Sequence, residues 1–526
     1  MIIVGILVIP FLGSVLAWLV GRRDQHACRW VALGALLADL AFILSLWSQG
    51  AESGSKQDSR WLAELKWTWI APFGISFHLG ADGLTILLLL LAAFLGMVAI
   101  AVSWNEIREK VGFFHFNLML VLTGVMGVFL SLDLFLFYVF WELMLVPMYF
   151  LISLWGHEHR VYAAVKFFIF TQLGGLFMLL AVLGLYFVHG RSTGDYTFDY
   201  TALLTTKLNT GVAFWLMMGF IMAFFVKLPV VPLHTWLPDA HTEAPTAGSI
   251  VLAGLLLKTG AYGIIRFVLP LFPTTSRAVA PVAMALGVAG ILYGAILAFS
   301  QKDVKRLIAY TSVSHLGFVL LGVFAGTRAA LQGSIILIIA HGLSTGGLFA
   351  VAGALQERLN TRRMDALGGL WAVMPRMGGV ALIFSLASLG LPGLANFVGE
   401  FLVLAGSYAT NPALTVLASA GFVVSAVYSL WFIYRVFHGP QQSESGIADL
   451  NLREMAVFGI MIALIAVIGL WPQPILDTAA PALEFLEYGK AGAVNGGTLK
   501  AIWGTPNVEF GARPLKTVQE VPDGIK

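Results

Sequence analysis

Apolar runs near 20 residues long recur along almost the whole chain, separated by short polar loops. Each run is long enough to cross a hydrocarbon layer of about 30 Å as an α-helix. None of them alternates apolar and polar residues with the period of two that strands of a membrane barrel show. The pattern predicts an all-α polytopic membrane protein with about fourteen transmembrane helices. The predicted spans are 2–20, 30–47, 83–103, 113–131, 134–154, 164–188, 211–228 with an extension, 246–268, 278–299, 306–325, 331–355, 377–408, 413–437 and 454–471.

The composition supports a membrane location and limits the disulfides and cofactors that the chain could contain. Hydrophobic residues make up 59% of the chain and charged residues 11%, whereas soluble domains carry about 25% charge. The first run has no basic segment before it and no small-residue cleavage site, so we expect a retained helix rather than a signal peptide. The single cysteine, Cys28, excludes an internal disulfide and a cysteine-ligated iron–sulfur cluster within this chain.

The loops differ in their basic residues. Loops that follow odd-numbered spans hold about twice as many Lys and Arg as loops that follow even-numbered spans, which predicts that the odd-numbered loops are cytoplasmic. We call the side of the odd-numbered loops the odd-loop face. Both termini are then predicted on the periplasmic side. No loop has a basic cluster with interleaved aromatic residues, so we expect no nucleic-acid partner.

Prolines interrupt two spans at corresponding places. Pro229 and Pro232 follow span 7, and Pro392 divides span 12, because proline removes a backbone donor and clashes with the preceding turn. Broken helices in matching positions are typical of transporters built from inverted repeats. The sequence therefore predicts inverted five-helix repeats over helices 4–8 and 9–13. The predicted segments are 1–110 (helices 1–3), 111–268 (first repeat), 277–437 (second repeat) and 438–526 (helix 14 and a tail).

Two lysines, Lys227 and Lys258, are the basic residues that we assign to no loop, helix end or tail. A cation inside a bilayer costs at least roughly 2.5–3.5 kcal/mol, and such residues usually mark ion or proton pathways. We expect Lys227 to lie at mid-membrane if its helix continues through the kink to about Pro238. Lys258 could extend its ammonium group to an interface, but it lies at the centre of its span, too deep for that.

Other ionisable residues lie at a similar depth in other spans. Together with the two lysines they predict a lateral row for proton transfer in the membrane plane, formed by Glu142, Lys227, Lys258, His315, His341 and Glu400. Each has a structural alternative: a satisfied core histidine, an ion-pair partner, or a helix-capping acid in the case of Glu400. Secondary candidates, which could equally line a polar loop, are His234, Asp239, His241 and Glu243.

Four segments resemble one known family. FWELMLVPMYF, KLPVVPLHTWLPDAHTEAPTAGSIVLAGLLLKTGAYGIIRF, QKDVKRLIAYTSVSHLGFVLLG and AHGLSTGGLF resemble the antiporter-like subunits of respiratory complex I, over roughly residues 70–440. That family includes the L-, M- and N-type subunits and the large subunits of Mrp sodium/proton antiporters. The glutamate at position 400, where other members mostly have lysine, and the short chain after helix 14 are most similar to the M-type branch, the counterpart of mitochondrial subunit 4.

The resemblance implies a role for each residue of the row. Glu142 would pair with Lys227, Lys258 would be the central relay, His315 and His341 would continue the path, and Glu400 would be its far end. The chain would be a subunit of a proton-translocating NADH:quinone oxidoreductase in the bacterial inner membrane, driven by quinone reduction elsewhere in the complex. It would hold no cofactor or metal itself, with FMN, iron–sulfur clusters and quinone in partner subunits. Expected partners are L-type and N-type neighbours and lipids.

Two alternatives remain open from the sequence. The first is an Mrp-type sodium/proton antiporter subunit, against which Glu400 argues. The second is a membrane scaffold without transport, against which the lysines argue, because a scaffold needs no buried titratable cation.

Overall fold

The computed structural model describes residues 2–52, 61–440 and 446–492, and these are mainly helical. Most of the predicted C-terminal tail, residues 493–526, lies outside the described residues. The helices are α1 (Ile2–Gly21), α2 (Gln25–Glu52), α3 (Gly83–Val102), α4 (Val111–Leu130), α5 (Leu134–Leu143), α6 (Leu145–Trp155), α7 (Arg160–Thr193), α8 (Tyr200–Leu203), α9 (Thr210–Lys227), α10 (Trp236–Glu243), α11 (Thr246–Val251), α12 (Leu257–Gly263), α13 (Leu269–Leu271), α14 (Pro273–Phe299), α15 (Val304–Ala325), α16 (Arg328–Leu359), α17 (Pro375–Ser388), α18 (Ala395–Tyr408), α19 (Pro412–Phe437), α20 (Leu452–Leu470) and α21 (Gln473–Gly492).

Thirteen helical segments of the described chain are long and apolar enough to cross a membrane, which confirms the polytopic α-helical fold. Predicted span 12 is not among them because it is divided into α17 and α18, of 14 residues each. The inverted repeats and the four-segment division remain predictions. The spans differ in burial: the windows in Thr246–Leu271 and Arg328–Leu359 are completely buried, whereas few residues of α20 are buried. Spans 8 and 11 therefore form the centre of the bundle.

The chain breaks in span 7 and span 12 occur at the predicted prolines. α9 ends at Lys227 and α10 begins only at Trp236, so the helix does not continue to about Pro238, the condition under which Lys227 was predicted to lie at mid-membrane. Pro229 and Pro232 explain the early end, because neither can donate a backbone hydrogen bond. In span 12, Gly390 and Gly393 have φ values of +79° and +94°, a backbone conformation that glycine adopts without strain. Lys227 thus lies directly at a break, with a buried side chain.

Span 8 is helical throughout but irregular. Two π-helical segments, Leu252–Leu256 and Ile264–Val268, lie on either side of α12. π-helical turns are rare and frequently occur at functional sites. Lys258 is the second residue of α12, between these two segments.

A β-hairpin, which the sequence analysis did not predict, lies between α2 and α3. Strands β1 (Ala63–Ile70) and β2 (Ile75–Ala81) pair antiparallel, and β2 is the more buried strand. Ser76 of β2 donates backbone and side-chain hydrogen bonds to Asp133, which also caps α5. This contact fixes the hairpin to the even-loop side of the bundle.

Candidate functional site

The centre of the predicted row is a direct contact between span 8 and span 11. Nζ of Lys258 lies 2.5 Å from Nδ1 of His341 and donates a second hydrogen bond, of 3.0 Å, to the carbonyl of Ala253. Both side chains are completely buried. No carboxylate among the described residues forms an ion pair with Lys258 within the 4.0 Å limit. The ammonium group therefore has a carbonyl and an imidazole as its hydrogen-bond partners, and both are neutral acceptors.

The row continues from His341 to Glu400. The rings of His341 and His315 have centroids 5.7 Å apart. Nδ1 of His315 lies 2.8 Å from Oε1 of Glu400, and its Nε2 lies 3.1 Å from the hydroxyl of Ser388. Tyr428 adds a longer contact, 3.4 Å from Nε2 of His315. Four side chains on spans 8, 11, 10 and 12 thus lie next to one another. Hydrogen bonds join Lys258 to His341 and His315 to Glu400, whereas the two histidines meet only through their rings, and Nε2 of His341 has no partner among the described residues.

At the opposite end of the row, Glu142 and Lys227 are not in direct contact. Nζ of Lys227 lies 5.4 Å from the ring centroids of Trp141 and of Phe167 and has no hydrogen-bond partner among the described residues. Glu142 interacts with Lys227 electrostatically but does not form an ion pair with it. The direct pair that the resemblance implies is therefore not formed in this structure. A lysine held over aromatic faces is stabilised by cation–π attraction rather than by a carboxylate.

Close helix packing connects the two ends. A Cβ atom on Gly260 would lie 2.7 Å from the carbonyl oxygen of Phe224 and 3.2 Å from Cβ of Lys227, so α12 and α9 touch through their backbones. Ser344 and Thr345, close to His341 in the chain, and Asn396, close to Glu400, have buried polar atoms without a hydrogen-bond partner among the described residues. Buried polar atoms in proteins are usually satisfied by hydrogen bonds, including those to internal water. The arrangement is suited to proton transfer over several short steps.

The secondary candidates separate into two groups. Asp239 forms ion pairs with Lys166 at 2.6 Å and Arg306 at 3.1 Å, and Glu243 pairs with Arg362 at 2.9 Å. These contacts connect elements of the odd-loop face and lie apart from the row.

The two histidines are different from those acids. His234 lies beside the rings of Tyr293 and Tyr310, and its Nδ1 has no partner among the described residues. His241 is completely buried, stacks on Phe349 with ring centroids 4.5 Å apart, and has no partner for either ring nitrogen among the described residues. His241 is therefore the secondary candidate whose surroundings most resemble those of the row.

Two deeply buried cations, each at most 2% exposed, were not predicted from the sequence. Lys305 lies just before predicted span 306–325, but its side chain is completely buried. Arg266 lies at the end of predicted span 246–268, and it is buried and forms bidentate hydrogen bonds of 2.7 and 2.6 Å with Asp82, the N-cap of α3. Both residues stand at the edges of apolar runs, where hydropathy alone cannot distinguish a buried cation from an exposed one.

Comparisons with known proteins identify the family. Residues 131–427 match the family model described as NADH:quinone oxidoreductase/Mrp antiporter, TM. Within the described parts of the chain, no group of three or more His, Cys, Asp and Glu residues could hold a metal ion.

Relatives that match over nearly their whole length identify the branch of this family. The chain is 50% identical over 496 residues to NADH-quinone oxidoreductase subunit M of Pseudomonas aeruginosa, covering 92% of this chain and 97% of that protein. It is 36% identical over 491 residues to NADH-ubiquinone oxidoreductase chain 4 of Arabidopsis thaliana, covering 92% and 97%. A chain of respiratory complex I from Thermus thermophilus superposes with a TM-score of 0.82 at 32% identity, over 93% of this chain and 99% of that one. The chain therefore belongs to the NADH:quinone oxidoreductase/Mrp antiporter transmembrane family and, within it, to the subunit M group of respiratory complex I.

Proposed function

We propose that this chain is the proton-translocating, antiporter-like membrane subunit of an NADH:quinone oxidoreductase, and that protons move along the row from Glu142 to Glu400. Two hydrogen-bonded pairs, Lys258–His341 and His315–Glu400, whose imidazole rings have centroids 5.7 Å apart, support this proposal most directly. Ionisable residues inside a membrane are costly, and they pair with one another along proton pathways. A structural core would be stabilised at least as well by apolar residues of the same volume.

In this proposal protons move along the row by transfer between neighbouring side chains. A charged Lys258 donates through Nζ to Nδ1 of His341, and loss of that proton leaves a neutral amine that can accept another. His315 receives a proton on one ring nitrogen and releases one from the other, since both nitrogens of imidazole can take part. Glu400 accepts from Nδ1 of His315 at the far end.

Lys227 and Glu142 would control the start of this path. A nearby carboxylate favours the charged form of an amine, and a low-dielectric environment favours the neutral form. In the structure the ammonium group of Lys227 lies against Trp141 and Phe167 rather than against Glu142. A movement that brings the Glu142 carboxylate to Lys227 would retain a proton there, and separation would release it toward Lys258.

The driving energy comes from outside this chain. Relatives are subunits of NADH-quinone oxidoreductase, so we assign FMN, iron–sulfur clusters and quinone to partner subunits and link the row to them by electrostatics and conformation. We place the chain in the bacterial inner membrane with both termini on the periplasmic side and with L-type and N-type subunits as neighbours. The chain acts as part of a translocase and contributes no redox centre.

Proton pumping by the assembled complex tests the proposal. Lys227→Ala and Glu142→Ala should preserve NADH oxidation by the peripheral redox subunits, whereas protons moved into inverted membrane vesicles per NADH oxidised should fall strongly. Lys207→Ala, an exposed lysine of an even-numbered loop, is the matched control and should pump normally. Normal pumping by both row variants would refute the proposal.

The same vesicles distinguish the alternatives. Proton pumping that requires sodium, together with measurable sodium transport, would support the Mrp-type antiporter hypothesis. A Lys258→Leu variant that assembles more stably and pumps normally would support the scaffold reading.

A further inference from the structure

A second lysine–histidine contact lies outside the row and repeats its central geometry. Nζ of Lys305 donates to the carbonyl of Ala244 at 3.1 Å and lies 3.3 Å from Nε2 of His157. Lys258 likewise contacts one carbonyl and one imidazole. In both cases the lysine is completely buried.

Lys305 also has no carboxylate partner. Neighbouring ion pairs join Arg306 to Asp239 and Arg362 to Glu243 and Asp303, and none of the ion pairs between described residues includes Lys305. Glu106 is the acid with the largest electrostatic effect on Lys305, yet it forms no ion pair with it. An ammonium group without a counter-ion is costly to bury, so a purely structural lysine is a poor explanation for this position.

His241 is connected to elements of both lysine–histidine contacts. It belongs to α10, which ends next to the Ala244 carbonyl that Lys305 binds. Its ring stacks on Phe349 of α16, the helix that carries His341. Both Lys305 and Lys258 act on His241 electrostatically, and its own charge would act on His341. Neither nitrogen of its ring has a partner among the described residues, although the ring is completely buried. An imidazole with two unpaired nitrogens can receive a proton on one nitrogen and release one from the other.

His157 connects Lys305 to the odd-loop face. It lies in the loop after α6, is partly exposed, and its backbone N–H donates to the carbonyl of Glu243. Burial, together with the cations of Lys305 and Arg362, lowers the pKa of His157 to about 3. Its imidazole is therefore neutral near pH 7 and can accept the N–H of Lys305.

We propose that Lys305 and His157 form a proton-uptake branch that supplies the row from the odd-loop face through His241. A proton from water at that face is transferred to the His157–Lys305 pair, then from Lys305 to His241, and then to the Lys258–His341 pair. Each step breaks one N–H or O–H bond and forms one N–H bond, and no electron is transferred. This inference rests on the proposed function of the row and adds the residues that load it.

A structural role for Lys305 makes a different prediction. If Lys305 only holds the carbonyl of Ala244, a Lys305→Arg variant should work as well as lysine, because guanidinium keeps the charge and the hydrogen-bond donors. If Lys305 transfers protons, Lys305→Arg should fail, because guanidinium does not release its proton in proteins.

The experiment measures protons moved per NADH oxidised in vesicles that hold the whole complex. Lys305→Arg should assemble, oxidise NADH and lose pumping, while Lys302→Arg, an exposed lysine three residues away, should pump normally. Because the Arg side chain is larger and could impair folding, His157→Gln provides a second variant: glutamine can accept the Lys305 N–H but cannot carry a proton. It should assemble and pump poorly.

Lys258→Arg in the same series separates the two proposals. Normal pumping by Lys305→Arg and His157→Gln, with pumping lost in Lys258→Arg, would overturn the uptake branch and leave the row intact. Normal pumping by all three variants would overturn the proposed function as well.

Discussion

Nζ of Lys258 and Nδ1 of His341 are 2.5 Å apart, and this contact joins the two most deeply buried spans of the bundle. π-helical turns flank the lysine on its own helix. A small change of register in that helix would move Nζ relative to the imidazole. The contact is thus the shortest in the row, and it is also the contact that a change in helix geometry would lengthen.

His341→Gln tests whether the imidazole itself transfers protons. The glutamine oxygen can accept the Lys258 N–H, so we expect assembly and NADH oxidation to persist, but an amide cannot replace a proton relay that typically contributes about 10²–10⁴-fold. Proton pumping per NADH should therefore be nearly abolished. His115→Gln is the control, since His115 is also a buried histidine in a span but bonds only the carbonyl of Val111. Equal pumping by the two variants would contradict a relay role.

The sequence predicted the members of the row because each breaks the pattern of an otherwise apolar span. Lys258 and His341 stand near the centres of their spans, and the structure brings them together. The proline positions likewise predicted both helix breaks. Depth within a span, read from the sequence, was sufficient to predict that Lys258 and His341 are buried, while their role in proton transfer stays a prediction.

Lys305 shows why the rest could not be predicted. It lies between Lys302, which is exposed, and Arg306, whose side chain is 39% exposed, whereas Lys305 itself is completely buried. Three basic residues at the start of one helix have nearly the same local sequence context. Only the packing of the α10–α11 connection against α15 decides which one is enclosed. The absent Glu142–Lys227 ion pair is similar, because side-chain orientation does not follow from residue spacing.

Gly260→Ala should affect the spacing between the two lysine-bearing helices. The added methyl group would lie 2.7 Å from the carbonyl oxygen of Phe224 and 2.9 Å from the backbone nitrogen of Leu228, so α9 must move away. Overpacking of this kind costs typically about 1–3 kcal/mol. We expect a lower thermal unfolding temperature of the purified complex and slower pumping. Gly459→Ala in α20, where a Cβ atom would meet nothing within 4 Å, should leave both unchanged; equal effects would argue against a helix-spacing role.

Breaking the buried Arg266–Asp82 pair should destabilise the protein strongly. Asp82→Asn retains a side chain that can cap α3 but leaves the Arg266 charge buried without its counter-ion, a change that costs about 3–5 kcal/mol in comparable pairs. A second substitution, Arg266→Met, should recover much of that loss by removing the charge. Arg328→Met, which breaks an ion pair whose partners are both 49% exposed, should cost at most about 1 kcal/mol. Thermal unfolding that ranks Asp82→Asn no worse than Arg328→Met would disprove this account.

The attachment of the β-hairpin should depend on pH through His78. Its Nδ1 lies 2.7 Å from Asp199 and its Nε2 lies 2.8 Å from Glu64. Burial alone would lower the pKa of His78, but the hydrogen bonds and charges of the two acids outweigh burial and raise it. The stabilisation is therefore complete below the usual histidine value of about 6.5 and is lost as pH rises through the raised pKa.

The titration of Asp199 does not overlap with the pH dependence that His78 gives to the hairpin. Burial would raise its pKa, but hydrogen bonds from His78, Lys66 and Thr201 lower it overall, so its contribution is lost only in strong acid. Amide hydrogen exchange in residues 63–81, corrected for its intrinsic pH dependence, should thus accelerate as pH rises above about 6.5. His78→Gln should remove that dependence. His189→Gln is the matched control, because His189 bonds the hydroxyl of Thr206 rather than a carboxylate, and it should keep the dependence. Exchange that is independent of pH in the unsubstituted protein would show that His78 does not hold the hairpin through its charge.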